Sequence, residues 1–225
     1  MKKLLFSPSL MCADPLNLES EITLLLNNKF WHYHIDIADM HFVNNMLIGI
    51  NTVNELGRFP MVKNIHLMVE KPSQIIPVLK LNKNVDTITF HIECSENPLY
   101  VMSLIRSLHY KVGMAINPIT PLAAIQDYIP HLDSMIIMCV KPGFAGQQFI
   151  SGSYRRVELI INQIKNMNAT RINVCVDGSI GKEEIVRFLN IGANEFVLGT
   201  KALFGKDLKE RICQFNNLFG NSHIL

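Results

Sequence analysis

The stretch RINVCVDGSIGKEEIVRFLNIGANEFVLGT (171–200) contains the pattern that decides the fold. It begins with an apolar run, continues through a glycine-containing turn into a segment with apolar residues at helical spacing, and ends in a second apolar run. Such a strand–helix–strand unit pairs its strands in parallel, because the helix returns the chain to the starting end of the sheet. The stretch therefore predicts one repeat of an α/β fold.

The same alternation extends in both directions along the chain. Units spaced by roughly 25 residues accommodate one strand, one helix and two short loops. Eight such units in 225 residues predict an α/β fold, a single (β/α)8 TIM barrel over residues 1–225. A doubly wound open sheet is the alternative, and the lack of a G-x-G-x-x-G motif after the first strand weakens it. The predicted strands are 4–9, 31–37, 62–68, 85–91, 111–116, 134–140, 171–177 and 195–199, and helical spacing is seen at 17–28, 98–109, 153–167 and 182–193.

Composition and charge exclude several classes of protein. Hydrophobic residues make up 48% of the chain and charged residues 18%, which is too apolar for a disordered protein. The net charge of +2 provides no general attraction to nucleic acid or acidic membranes. The five cysteines are scattered without a C-x-x-C pair, which is typical of free thiols in a reducing compartment. Since no apolar run reaches the length of a signal peptide core or a membrane span, we expect a cytoplasmic protein without nucleic-acid or membrane partners.

Four polar residues lie where predicted strands end. His34 and Asp36 are two residues apart on the second strand, so they point to one face. His66 lies near the end of the third strand and Asp177 ends the seventh. In a TIM barrel these ends meet at one mouth, and two imidazoles with two carboxylates are a typical ligand set for a divalent metal. Each residue alone could equally be a hydrogen-bonded buried side chain or a helix cap, but four together favour a metal site.

Glycine-containing loops follow the last three predicted strands. PGFAGQQF (142–149), VDGS (176–179) and LGT (198–200) allow backbone N–H groups to approach an anion. Barrels commonly bind phosphate with the loops after strands seven and eight, although ordinary turns also need glycine. Met68 and Met138 lie next to the predicted site. Core packing is the usual role of methionine, and shielding of an electron-rich intermediate is the alternative.

Six ordered motifs give the chain a resemblance to the ribulose-phosphate 3-epimerase family along nearly its whole length. In detail it is most similar to the allulose-6-phosphate 3-epimerase branch, on the basis of the SLMC segment, Ala145, Ser179 and the Gly-Thr pair at 199–200. It departs from the family at Ala38, Met40 and Asn44, where methionine, glycine and proline are usual. The six motifs are SPSLMCAD (7–14), HIDIADMHFV (34–43), HLMV (66–69), NPITP (117–121), PGFAGQQF (142–149) and VDGS (176–179).

The resemblance implies a TIM barrel of the ribulose-phosphate-binding type and a metal-dependent 3-epimerase acting on a small phosphorylated ketose. Interconversion of allulose 6-phosphate and fructose 6-phosphate is the main expectation, and interconversion of ribulose 5-phosphate and xylulose 5-phosphate is the alternative. Asp36 and Asp177 are implied to be the acid/base pair, and His34 and His66 complete the site of one divalent ion, Zn, Fe, Mn or Co. A homo-oligomer is also implied. The implied substrate contacts are Ser7, Met68, Met138, Gly146, Gly178, Ser179, Gly199 and Thr200.

Two other functions compete with epimerisation. A decarboxylase of the orotidine-phosphate or hexulose-phosphate type would be expected to use a lysine near the reacting carbon, and the predicted strand ends beside His34, Asp36 and His66 carry none. A non-catalytic phosphosugar-binding barrel is supported only by the three departures from the family pattern. The retained pair of aspartates argues against it, because binding alone does not require an acid and a base.

Overall fold

Eight parallel strands form a barrel, as the spacing of the sequence predicts. The computed structural model describes residues 3–83, 85–205 and 207–220. Seven neighbouring pairs of strands are hydrogen-bonded in parallel, in the order β1-β8-β7-β6-β5-β4-β3-β2. The predicted TIM barrel is confirmed, and every predicted strand overlaps an observed one. The strands are β1 Leu5–Pro8, β2 His32–Ala38, β3 Val62–Met68, β4 Thr87–His91, β5 Lys111–Ile116, β6 Ser134–Met138, β7 Asn173–Asp177 and β8 Glu195–Leu198.

The ring is completed where β1 meets β2. Only a parallel bridge between Ser9 and His34 joins them in the described residues, just beyond the end of β1. The side chain of Ser9 reinforces this junction, because its hydroxyl donates to Oδ2 of Asp36 at 2.9 Å. The last contact that closes the barrel therefore lies at the carboxyl ends of the strands, where function is expected in this fold.

Helices cover the outside of the barrel, and local sequence explains where several of them begin and end. α4 begins after Asn97, whose side chain accepts hydrogen bonds from the N–H groups of Leu99 and Tyr100. α6 ends at Gly192, which has φ of +113° and is a favourable residue for that conformation. The helices are α1 Leu18–Asn27, α2 Ile50–Glu55, α3 Pro72–Ile75, α4 Pro98–Ser107, α5 Ser153–Asn166, α6 Lys182–Ile191 and α7 Leu208–Phe219.

The two faces of each strand have different surroundings. On β2, the side chains of Tyr33, Ile35 and Ile37 belong to the large core between barrel and helices. The alternate residues His34 and Asp36 are also buried, but they belong to the barrel interior. All five cysteines are free thiols. Among the described residues, no helix is long and apolar enough to span a bilayer.

A fully buried ion pair fastens the outside of the barrel. The Nζ atom of Lys63 on β3 lies 3.0 Å from Oδ2 of Asp86, and both side chains have no exposed area. Asp86 also accepts hydrogen bonds from the backbone N–H groups of Lys63 and Asn82, at 2.9 and 2.8 Å. Because both partners are sealed from water, removing one leaves a buried charge without its counterion.

We predict that Asp86→Ala lowers the free energy of unfolding by about 3–5 kcal/mol, the usual cost of breaking a buried ion pair. Urea unfolding followed by circular dichroism measures this change. The matched control is Glu19→Ala, which breaks an exposed pair with Arg58 and should cost about 1 kcal/mol or less. Equal losses in the two variants would show that the Lys63–Asp86 pair does not stabilise the fold.

Candidate active site

Four polar side chains from three strands converge at the carboxyl end of the barrel. Nε2 of His34 lies 3.0 Å from Oδ1 of Asp36 and 3.6 Å from Oδ2 of Asp177. Nδ1 of His66 lies 3.0 Å from the same Asp36 oxygen and 3.8 Å from Oδ2 of Asp177. The ring nitrogens of His34 and His66 are 3.2 Å apart. One ligand atom from each of the four residues lies within 4.8 Å of all the others.

Strand register accounts for this convergence. Asp36 on β2 pairs with His66 on β3 in the parallel ladder, so the two side chains lie at the same level. Asp177 ends β7, at the level of Met138 on β6. Between β7 and β2 the ring contains only β8 and β1. Side-chain alternation turns all four residues inward, where the interior is too narrow to keep them apart.

The charges of this cluster are strongly coupled. Burial alone would lower the pKa of His34, but the neighbouring Asp36 and Asp177 carboxylates raise it to about 9. Burial opposes ionisation of Asp36, yet the two histidines hold its pKa below the usual range. The pKa of Asp177 is raised, first by burial and then by the charge of Asp36. In the protein alone, protons on imidazole therefore balance the negative charge of the carboxylates.

The four residues fit a divalent cation. Two imidazole nitrogens and two carboxylate oxygens form a donor set suited to Zn, Fe, Mn or Co. The histidines and Asp36 are almost completely buried, so two carboxylates at such short range require a compensating positive charge. A divalent cation would supply this charge and replace the proton on His34. Which of these metals binds stays a prediction.

Two further polar residues adjoin the cluster, and the sequence analysis did not single them out. Nε2 of His91 lies 2.8 Å from Nε2 of His66, and Nδ1 of His91 lies 3.1 Å from Oε2 of Glu93. Burial lowers the pKa of His91 to about 4, despite the opposing effect of Glu93. The signal that could have found His91 is the same one that identified His34 and His66, because His91 ends a predicted strand.

A cavity of about 50 Å³ opens above the two aspartates. The loop after β6, which includes Gly146, forms one wall of it. That loop also borders a second cavity of about 520 Å³. The hydroxyl of Ser179 donates to the carbonyl of Gln147 and so ties the loop after β7 to the loop after β6. The predicted substrate contacts that line the first cavity are Met68, Met138, Gly146, Gly178, Ser179, Gly199 and Thr200.

Ser7 is placed differently from what its predicted role requires. Its side chain is fully buried, and its hydroxyl donates to Oε1 of Glu195 at 3.0 Å, deeper in the barrel. Ser9, two residues further on and just after the end of β1, lines the cavity and donates to Asp36. The serine of the SPSLMCAD motif that faces the cavity is therefore Ser9. Strand stagger in the closed barrel sets this level, and periodicity in the sequence does not reveal it.

The three departures from the family pattern have different surroundings. Ala38 is the last residue of β2 and is buried beside Met68 and Val43 in a small apolar cluster. Met40 has φ of +64°, a conformation that favours glycine, and its side chain is half exposed. Asn44 is exposed and borders the larger cavity. The turn thus explains why glycine is usual at position 40, and it places the Met40 side chain on the surface.

Comparison with known proteins identifies the family. Residues 5–204 match the Ribulose-phosphate 3 epimerase family, and this range contains all eight strands and the four clustered residues. The chain belongs to this family. It is accordingly an isomerase, a carbohydrate-phosphate 3-epimerase.

Curated relatives agree over most of their length. A ribulose-phosphate 3-epimerase of Eremothecium gossypii is 32% identical over 224 residues, covering 94% of this chain and 91% of the relative. The enzyme of the same name from Mycobacterium bovis is 34% identical over 206 residues, with 90% and 87% covered. These relatives carry the pentulose name, and neither they nor the family match distinguish the allulose-6-phosphate branch.

Solved structures support the fold alone. The phosphoribosyl anthranilate isomerase of Thermus thermophilus superposes with a TM-score of 0.66 at 13% identity, covering 97% of this chain and 99% of that one. The 3-hexulose-6-phosphate synthase of Salmonella typhimurium gives a TM-score of 0.61 at 10% identity, with 98% and 100% covered. Both similarities confirm the (β/α)8 architecture.

We predict that cation binding strengthens as pH rises. The pKa of His34 is about 9 in the protein without a cation, and an imidazole must lose its proton before it can bind metal. The apparent affinity for cobalt should therefore rise by up to about tenfold per pH unit between about pH 6 and 8. Chelator competition measures this slope. His34→Gln is the control, since the slope should flatten when the titrating ring is removed. An affinity independent of pH in the native protein would contradict this assignment.

Proposed function

We propose that the protein interconverts ribulose 5-phosphate and xylulose 5-phosphate by moving a proton at C3. The observation that carries the proposal is the pair of carboxylates at one cavity, the buried Asp36 and the partly exposed Asp177. They come from β2 and β7, two strands that are not neighbours in the ring. Such a pair suits an epimerase that uses two acid/base groups, because the proton leaves one face of C3 and another is returned to the opposite face.

The reaction depends on how these two carboxylates exchange protons with the substrate. The hydrogen on C3 is acidic because the adjacent C2 carbonyl can accept the negative charge that remains. One aspartate removes this hydrogen while the other, on the opposite face, delivers a proton. The residues that would hold the cation are His34, Asp36, His66 and Asp177. When bound, the cation would supply positive charge that stabilises the oxyanion of the intermediate.

Neighbouring side chains support the acid/base pair. Ser9 donates to Oδ2 of Asp36, which fixes the orientation of that carboxylate. Met68 and Met138 line the cavity beside it, and their apolar side chains reduce access of water to a carbanionic intermediate. In this proposal the methionines have both of the roles that the sequence left as alternatives, packing in the core and shielding of the intermediate.

The phosphate of the substrate is assigned to the loops after β6, β7 and β8. Gly178 has φ of +115°, and a Cβ atom there would lie 2.6 Å from Val140, so only glycine lets this loop pack so closely. The loop leads into α6, whose N-terminus carries a partial positive charge. Backbone N–H groups can then hold an anion in a protein with a net charge of only +2.

A six-carbon ketose 6-phosphate is the second candidate substrate. Ala145, Ser179 and Thr200, which match the allulose-6-phosphate branch, all line the cavity. Ala38 is smaller than the methionine usual in the family, and the Met40 side chain lies outside the cavity lining. These features are the observations that favour the longer substrate. The names of the curated relatives nevertheless favour the pentulose. A homo-oligomer and a cytoplasmic location stay predictions.

We predict that Asp36→Asn and Asp177→Asn each lower kcat by at least about 10²–10⁴-fold, the usual contribution of a general acid or base. In heavy water the native enzyme should place deuterium at C3 of the product, which mass spectrometry detects. Asp127→Asn, at an exposed aspartate, is the control and should have the same kcat as the native enzyme. Complete epimerisation without any solvent label would argue against exchange through two carboxylates.

We predict a higher kcat/KM for ribulose 5-phosphate than for allulose 6-phosphate, by about 10–200-fold, the effect of one misfitting methylene. Parallel assays of the purified protein measure this ratio. Ala38→Met should lower kcat/KM for the hexulose phosphate more than for the pentulose phosphate, because it fills the space beside Met68. A higher kcat/KM of the native protein for allulose 6-phosphate would show that the six-carbon ketose phosphate is the substrate instead.

A further inference from the structure

A chain of three polar side chains, two buried histidines and the partly exposed Glu93, leads away from the metal cluster. Nε2 of His66 lies 2.8 Å from Nε2 of His91, and Nδ1 of His91 lies 3.1 Å from Oε2 of Glu93. Both rings are fully buried. Their centroids are 4.9 Å apart, well beyond the separation of the two nitrogens, and the ring planes differ by 28°. The rings therefore meet edge to edge, which is the geometry of an N–H···N hydrogen bond.

Proton positions along this chain follow from the last acceptor. Two ring nitrogens at hydrogen-bond distance share one proton, so one donates and the other accepts. Ionised Glu93 can only accept, which places a proton on Nδ1 of His91. A neutral His91 then presents a lone pair at Nε2, and His66 must donate from its own Nε2. With its proton on Nε2, a neutral His66 has a lone pair on Nδ1, the atom that faces Asp36 and His34, so a cation can bind there once any second proton has left the ring.

Glu93 is itself fixed by the loop after β5. Its Oε1 accepts a hydrogen bond from the backbone N–H of Asn117 at 2.8 Å and another from the hydroxyl of Thr120. The guanidinium of Arg156 on α5 in turn donates to the carbonyls of Asn117 and Thr120. Three donors at the two oxygens of Glu93 keep the carboxylate ionised and hold its orientation.

We propose that His91 and Glu93 are positioning residues that hold His66 in the one tautomer able to bind a divalent cation through Nδ1. This inference rests on the metal site of the proposed epimerase and extends it outward by two residues. Metal-binding histidines commonly donate their second ring N–H to such a partner, and loss of the partner typically weakens metal affinity 10–100-fold. Here the partner is a second histidine, and the carboxylate sets the proton positions through it.

The proton positions can be measured directly. In protein labelled with ¹⁵N-histidine, long-range ¹H–¹⁵N spectra separate protonated from unprotonated ring nitrogens. Native protein should show His91 protonated only at Nδ1, both without metal and with zinc bound. In the zinc-bound form His66 should be protonated at Nε2. Protonation of His91 at Nε2, or at both nitrogens, would overturn the proposal.

Metal affinity tests the consequence with a matched pair of variants. His91→Gln retains an acceptor for the N–H of His66, whereas His91→Leu keeps a side chain of similar size without any acceptor. Competition with a chelator should show zinc affinity about 10–100-fold below native in His91→Leu, with a smaller loss in His91→Gln. Glu93→Gln should also weaken zinc binding, because its amide presents donors where only acceptors fit. His131→Gln, at an exposed histidine, is the control and should bind zinc as the native protein does.

The possible results separate this inference from the proposed function. Equal zinc affinity in His91→Leu, His91→Gln and native protein would reduce His91 to a packing residue and overturn the inference alone. Native protein that binds zinc with the expected tautomers but epimerises neither ketose phosphate would overturn the proposed function alone. Native protein that takes up neither zinc nor cobalt would overturn both.

Discussion

The contact that closes the barrel is the constraint on which the rest of the structure depends. Seven pairs of strands are joined by continuous parallel ladders, whereas β1 and β2 meet through the Ser9–His34 bridge and the hydrogen bond from Ser9 to Asp36. Closure draws β7, β8, β1, β2 and β3 around one narrow interior, and this brings Asp177 within reach of His34 and His66. An open sheet would leave the ends of β2 and β7 far apart.

The same closure creates an electrostatic problem that the site has to solve. Two carboxylates and two imidazoles share a space from which water is largely excluded, so their charges must balance locally. Protons can provide that balance in the isolated protein, and a divalent cation can provide it in the proposed enzyme. The proposed positioning of His66 by His91 and Glu93 belongs to the same solution, because it decides which ring nitrogen of His66 can bind the cation. Fold, charge and chemistry are therefore coupled at one level of the barrel.

Some buried polar residues of the barrel lie outside the proposed active site. Below the metal cluster, Ser7 and Asn64 donate hydrogen bonds to the buried carboxylate of Glu195. Burial raises the pKa of Glu195 in spite of these bonds, and the group faces the interior away from the cavity. Lys63, the neighbour of Asn64 on β3, points to the other face of that strand and forms with Asp86 an ion pair that has no exposed area. Polarity alone therefore does not mark a site, whereas position at the carboxyl end of a strand does.

The sequence by itself determined the eight strands, the helices α1, α4, α5 and α6 and the four clustered residues, because local periodicity and strand-end position are properties of neighbouring residues. It did not predict the short helices α2 and α3, because six and four residues are too few to show a helical period. The 12-residue helix α7 was also not predicted. It placed Ser7 rather than Ser9 at the site and overlooked His91 with Glu93. Only the tertiary structure decided these matters, because the stagger between strands sets which residues share a level, and that stagger arises from closing the ring.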